Sequence, residues 1–359
     1  MKVTKYLPIL AVCLMTTGCN SKKEAVLTSG IDLANLDTTA MPGTSFYQYA
    51  CGGWVKDHPL TDEYSRFGTF DMLRENSREQ LKALIAELAA KKDNAPGSAA
   101  QKVGDLYNIA MDSVKLNQEG VAPIKAELAA IDALKDKGEI YAYIAESQKK
   151  GIRPYFTMFV SADDMNSSMN IVQLYQAGLG MGDRDYYLLE DESSQKMREA
   201  YKNYITRLFT LIGSSPEQAD AAVDAIMKIE RGIAEVSFSR EELRDSQKNY
   251  NKMSIEEFKA KNDPLNWDVY FESMGMMDIK YLDAKQLSFY EGLSALMKNT
   301  TLDEQKYYLT FNLLSSAAPY LSDPFVAADF DFYGKTMSGR QEQQPRWKRA
   351  LSTVNGALS

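Results

Sequence analysis

From about Phe46 onward, apolar residues return every three or four positions, the period of a helix with one buried face. Leu81, Leu84, Ile85 and Leu88 share a face, and Ser77 with Gln80 has the form of a capping box that predicts the start of that helix. Val103, Leu106, Tyr107 and Met111 form a second stripe. Tyr201, Tyr204, Ile205, Leu208, Leu211 and Ile212 form a third, and Gly213 stands where a helix commonly ends. Ser215-Pro216 then has the chemistry of a new start, with Pro in the first turn, and Val223, Ile226, Met227 and Ile233 follow. Tyr307, Tyr308, Phe311 and Leu314 continue the series. At the end, Trp347, Leu351, Val354 and Leu358 predict an amphipathic helix whose stripe is still running at the last residues.

One stretch departs from this period. Residues 155–176, YFTMFVSADDMNSSMNIVQLYQ, hold two β-rich runs around a polar turn and predict a single hairpin. No repeat of fixed length occurs. The expected fold class is mainly α: a multi-helix domain with one small β-hairpin.

The first residues follow different rules. Lys2 and Lys5 precede an apolar run from about Leu7 to Met15, the pattern of an export signal over 1–18. TTGC, ending at Cys19, is similar to the lipobox of bacterial lipoproteins, although Thr16 stands where that motif usually has Leu or Val. Cys19 is therefore the expected lipidation site. Residues 19–45 are polar and read as a flexible tether, with the folded body over 46–359. The expected location is an exported bacterial membrane lipoprotein, on the periplasmic or cell-surface side. With Cys13 in the signal and Cys19 lipidated, Cys51 has no partner in the chain.

Charge and composition narrow the chemistry. Acids outnumber bases, 49 to 41, for a formal net charge of −8, which argues against nucleic acid as a partner. The single histidine, His58, excludes an H-E-x-x-H zinc helix, which needs two imidazoles one turn apart. It also leaves His58 alone to serve any Ser-His or Cys-His pair, and its surroundings, KDHPLTDE, read as an exposed loop. No Cys-x-x-Cys pair and no P-loop occur. GLGMGD (178–183) is Gly-rich but does not complete the dinucleotide fingerprint. The carboxylate pairs Glu241/Glu242 and Glu256/Glu257 read as solvated helix faces.

Several strings, in order, carry a resemblance. SFYQYACGGWVKDHPLTDEYSRFGTFDMLRE (45–75) contains Gly52-Gly53-Trp54, Ser65-Arg66-Phe67-Gly68 and Leu73-Arg74-Glu75. VGDLYNIAMD (103–112), GLGMGDRDYYL (178–188), LRDSQKNYNKM (243–253), LLSSAAPYLS (313–322), FYGKTMSGRQEQQPRWKR (332–349) and VNGALS (354–359) follow. Together they resemble the neprilysin family of zinc metalloendopeptidases, which includes the endothelin-converting enzymes and bacterial oligopeptidases.

The resemblance implies the helical cap region of such a peptidase, which encloses a cavity for oligopeptides. It also implies that Arg66 and Arg74 line that cavity and bind substrate, Arg66 meeting the carboxylate end of short peptides. A guanidinium suits that role because its planar fork meets a carboxylate at two points. The competing reading pairs either arginine with Asp71 or Glu75 and makes it an organiser of the fold. In animal members the Cys before Gly-Gly-Trp is disulfide-bonded to the catalytic half, so here Cys51 is expected to be either a lone, buried and inert thiol, as suits a bacterial member, or a reactive remnant. The family's zinc helices, H-E-x-x-H and Glu-x-x-x-Asp, do not occur in this sequence. No catalytic or metal-ligating residue is therefore expected in the chain, zinc is expected only in a missing C-terminal domain, and the chain alone is expected to be inactive. Two alternatives follow: a stand-alone lipoprotein that binds peptides or a partner without catalysis, and, more weakly, a glycan-binding surface lipoprotein.

Overall fold

The computed structural model describes residues 30–262 and 266–358. The signal segment and Cys19 lie outside the described residues. The chain divides into two compact units at Pro59/Leu60.

The first unit is built on helix α1 (Phe46–Asp57), whose N-cap Ser45 accepts a hydrogen bond from the Gln48 backbone N–H at 3.3 Å. A single 3₁₀ turn, Leu33–Asn35, lies against it, and the Asp37 N–H donates to the Tyr49 carbonyl at 2.9 Å. This close approach explains Gly52-Gly53. A Cβ on Gly53 would overlap the Ala34 carbonyl, and one on Gly52 would sit 2.6 Å from Asp37 Cβ. His58 ends α1, with Nδ1 2.9 Å from the Trp54 carbonyl and its ring stacked 4.4 Å from that indole. Cys51 is free and half-buried, more accessible than the buried thiol expected from sequence.

The second unit opens with α2 (Thr69–Ala90), α3 (Ala99–Met111), α4 (Ser113–Glu119), α5 (Lys125–Asp132) and α6 (Lys137–Lys149). Strands β1 (Phe156–Asp163) and β2 (Asn166–Gln176) are the predicted hairpin, paired Phe156↔Gln176 through Val160↔Val172. Then come α7 (Asp185–Leu188), α8 (Glu192–Leu211), α9 (Pro216–Val236), β3 (Lys252–Ser254), α10 (Ile255–Lys261), α11 (Trp267–Ser273) and β4 (Tyr281–Ala284). The unit closes with α12 (Leu287–Asn299), α13 (Leu302–Ala317), α14 (Asp323–Asp329), a π-helix over Phe330–Met337, and α15 (Arg346–Leu358).

The fold class is the expected one, mainly α, but the sheet is larger than a hairpin. Its four strands run β1-β2-β4-β3, with β4 parallel to β2 (Val172↔Leu282) and antiparallel to β3 (Met253↔Leu282). β3 and β4 have three and four residues, too few for alternation to reveal them. The start of α2 also differs from expectation. The helix begins at Thr69, capped by Gly68, and Ser77 sits in its middle, where its hydroxyl donates to the Leu73 carbonyl at 2.9 Å.

The α8–α9 junction forms as its residues predict. The Ser214 N–H reaches the Phe209 carbonyl and the Gly213 N–H reaches Thr210, a Schellman closure with Gly213 at φ +90°. Ser215 and Gln218 then cap α9 reciprocally. α8, α9 and α13 bury Tyr201, Ile226 and Phe311 in the main core, beside an aromatic cluster of Phe156, Phe258, Trp267, Tyr270 and Tyr290. Ile85 of α2 with Leu351 and Val354 of α15 forms a smaller second core.

Candidate functional site

Arg66 lies in the loop 60–68, between the start of the second unit and α2. α2 begins abruptly because the Asp71 carboxylate accepts from the Gly68 N–H at 3.1 Å, and an acid in the first turn suits the positive end of the helix dipole. The loop is fixed at three further points. The Asp62 carbonyl accepts from the N–H groups of Gln341 and Glu342 at 2.9 and 3.0 Å. Tyr64 packs edge-to-face on Phe67, with ring centroids 5.2 Å apart. Beneath them, the buried ammonium of Lys348, on α15, bridges Glu63 at 2.8 Å and Glu75 at 2.6 Å.

Glu75 is the centre of this cluster. It also accepts from Arg78 at 2.7 Å and from the Tyr64 hydroxyl. Burial pushes its carboxyl up, but Lys348, Tyr64 and Arg78 together outweigh that and bring it down to about 2. The Tyr64 phenol moves the other way, to about 12, through burial first and then its hydrogen bond to Glu75. The cluster is thus an ionised, multiply bonded knot that joins the loop and α2 to α15. Lys82 adds to the same junction, 4.0 Å from the centroid of the Trp347 ring.

The two candidate arginines differ on this scaffold. Arg74 pairs with Asp71 at 2.8 Å, across one turn of α2, and remains largely in solvent. Arg66 is exposed and forms no ion pair among the described residues. On the first two turns of α2, which follows the loop, Phe70 is 83% exposed and Leu73 52%. A fixed loop with an exposed fork of donors, followed by exposed apolar residues, can hold a ligand that carries a carboxylate next to an apolar side chain.

The profile of peptidase family M13 matches residues 42–359. The chain belongs to peptidase family M13. It is 27% identical to human endothelin-converting enzyme 1 over 352 residues, covering 95% of this chain and 45% of that protein. Neprilysin-11 of Caenorhabditis elegans is 25% identical over 347 residues, 90% of this chain and 40% of that one. Among solved structures, the Mycobacterium tuberculosis zinc metalloprotease Zmp1, crystallised with an inhibitor, superposes with a TM-score of 0.86 at 28% identity, covering 92% of this chain and 50% of that one. PepO from Lactobacillus rhamnosis shares the fold, with a TM-score of 0.70 at 19% identity. The chain spans about half the length of the relatives it matches. Residues 42–359 correspond to the N-terminal region of that family.

Among the described residues, no group of three or more His, Cys, Asp or Glu converges as a zinc site requires, and His58 is engaged with Trp54 at a helix end.

The other strings that mark the M13 chain have structural work. GLGMGDRDYYL wraps a buried acid, Glu230 of α9, which is 1% exposed. The hydroxyls of Tyr187 and Tyr201 donate to Glu230 at 2.5 and 2.9 Å. A Cβ on Gly180 would overlap the Tyr201 hydroxyl, so the loop's glycine is a packing requirement and not a phosphate cradle. Tyr333 of the π-helix donates to the Gly180 carbonyl at 3.0 Å. LRDSQKNYNKM supports the sheet, through Tyr250 on Asp163 at 2.9 Å and the Asn251 N–H on Asp283 at 2.7 Å.

Sequence reasoning passed over Lys348 and Glu230. Lys348 meets Glu63 from 285 positions away, so no local pattern shows it. Glu230 did leave a signal: it lies on the same stripe as Ile226 and Ile233, an acid on an apolar face.

Proposed function

We propose that this chain forms the peptide-facing wall of a lipid-anchored zinc metalloendopeptidase. In this reading Arg66 receives the C-terminal carboxylate of an oligopeptide, and Phe70 and Leu73 flank the peptide's last side chains. The observation that carries it is the unpaired, exposed Arg66 on a loop held by the Lys348–Glu75 knot, in a chain whose relatives are metallopeptidases. Arg74, already paired with Asp71, contributes less. Zinc belongs to sequence outside this chain, Cys19 carries the lipid, and the protein faces the exterior of the membrane.

The test starts with the native protein, extracted with detergent from its own membranes. Intact mass should show a lipid on Cys19 and a chain about twice as long, and a zinc chelator should abolish oligopeptide hydrolysis. An unlipidated product without chelator-sensitive hydrolysis would overturn the proposal. A lipidated chain with the mass of residues 19–359 plus the lipid, which binds peptides without cleaving them, would establish the alternative, a binding lipoprotein.

A further inference from the structure

A second arginine forms no ion pair among the described residues, in a cavity that the Arg66 loop does not line. The cavity, about 250 Å³, lies between the end of α14, the segment 340–344 and α15. Arg349 projects from α15 into its wall, half-buried. Its Nε donates to the Gln344 carbonyl at 3.2 Å, and it forms no ion pair among the described residues. The neighbouring Arg346 is committed to Asp323 at 2.5 Å. Arg340, also in the wall, has no ion pair among the described residues and stands 5.4 Å from the Phe330 ring centroid. Burial, and then the charge of Arg346, push the Arg349 guanidinium below its ordinary value. Asp323, committed to Arg346, offsets this charge only from beyond ion-pair distance, so an anion arriving at the Arg349 fork relieves the remaining cost.

The rest of the lining has a polarity that limits the anion. Ser352 and Thr353 donate their hydroxyl protons to the carbonyls of Lys348 and Arg349, so their oxygens face a ligand as acceptors. Asp329, on the same wall, is an acceptor as well and has no ion pair among the described residues. Arg340 and Arg349 as donors, with Asp329, Ser352 and Thr353 as acceptors in the same lining, match a carboxylate with an N–H beside it. Adjoining this cavity is a second of about 180 Å³, lined by Leu106, Ile109, Leu116, Leu321 and Ala350. The two share Tyr320, Arg349 and Thr353, so the apolar space opens directly beside the guanidinium.

We propose that these joined cavities form a binding site for the carboxylate of an apolar α-amino acid, either free or as the last residue of a short peptide. The carboxylate sits on Arg349, the neighbouring N–H faces Asp329 and Thr353, and the side chain fills the space lined by Leu106 and Leu116. The site does not involve Arg66, so its failure and the failure of the Arg66 reading are separable.

The experiment is calorimetric titration of the whole protein with N-acetyl-L-leucine, L-leucine and N-acetyl-L-leucinamide. The two acids should bind, and the amide, which keeps the side chain and loses the charge, should bind at least about tenfold more weakly. Tighter binding of L-leucine, with the advantage lost in Asp329→Asn, identifies a free amino acid; tighter binding of the N-acetyl form identifies a peptide end. Arg349→Met should abolish acid binding. Arg349→Lys, which keeps the charge and guards against misfolding, should weaken it about tenfold. Ile109→Trp, at an exposed rim position, should fill the apolar space and weaken both acids. All titrations are made in the Arg66→Ala background, so that carboxylate binding at the Arg66 loop does not contribute. Equal binding of acid and amide, no binding of either acid, or full binding by Arg349→Met would overturn the proposal.

Discussion

Replacing Glu230 with Gln should change how the stability of this protein depends on pH. Glu230 is fully enclosed among Tyr187, Tyr201 and the Gly180 loop. Burial raises its carboxyl from 4.5 to about 8, against the opposing hydrogen bonds from the two phenols. Between those values the folded state holds a proton that the unfolded state has lost. Its contribution is therefore full below about pH 4.5 and is lost as pH rises to about 8. At about 1.4 kcal/mol per unit, the separation sets a ceiling of about 5 kcal/mol on the loss. Gln keeps the shape without titrating, and its amide disturbs the phenol pairing at a fixed cost of about 1 kcal/mol. Urea unfolding of both proteins at pH 5, 6, 7 and 8 gives the comparison. The wild type should be the more stable at pH 5, and its advantage should shrink and reverse as pH rises. A difference between the two that stays constant from pH 5 to 8 would refute the reasoning, because Glu230 would then be ionised throughout.

Lys348→Met should cost about 2–4 kcal/mol, below the full value for a buried pair because Glu63 and Glu75 stay partly in water and Glu75 keeps Arg78 and Tyr64. Hydrogen exchange should rise first in residues 60–68. Glu75→Gln should remove an acid-sensitive term: the lowered carboxyl stabilises the fold above about pH 4.5 and loses that effect as pH falls towards 2, so the variant should show a flatter acid-unfolding curve. Gly180→Ala should cost more than about 4 kcal/mol, since the Tyr201 hydroxyl occupies the space, and should be recovered mainly as insoluble protein. Gly356→Ala, with no atom within 4 Å of the added carbon, should instead stabilise α15 by about 0.5–1 kcal/mol, read as a rise in melting temperature.

Features that depend on neighbours in sequence were legible. Gly213, Ser215 and Pro216 form the α8–α9 junction with the local chemistry their types dictate, and the two β-rich runs around a polar turn over 155–176 form the hairpin. Features that depend on distant partners were not. β4 exists because the open edge of β2 offers it a ladder, β3 because β4 does so in turn, and their seven residues carry no period of their own. Ser77 looked like a cap because its type favours caps, but Gly68, with no side chain to signal the role, took the position when Asp71 could reach back to it. Gly52-Gly53 was visible as a string, and its cause, the approach of the Ala34 carbonyl, only in three dimensions. The same division runs through the site. Arg66 and Arg74 were found as members of strings, while the difference between them rests on Asp71 and on the knot that Lys348 closes from the far end of the chain.

Everything proposed for the site depends on whether Arg66 reads a peptide's free end. The measurement is hydrolysis, by native protein and by Arg66→Ala, of one oligopeptide supplied as its C-terminal acid and as its amide. The expected result is a KM for the acid that rises about tenfold or more in the variant, with the amide unchanged. An equal change for acid and amide, or none for either, would contradict the assignment of Arg66 to the carboxylate.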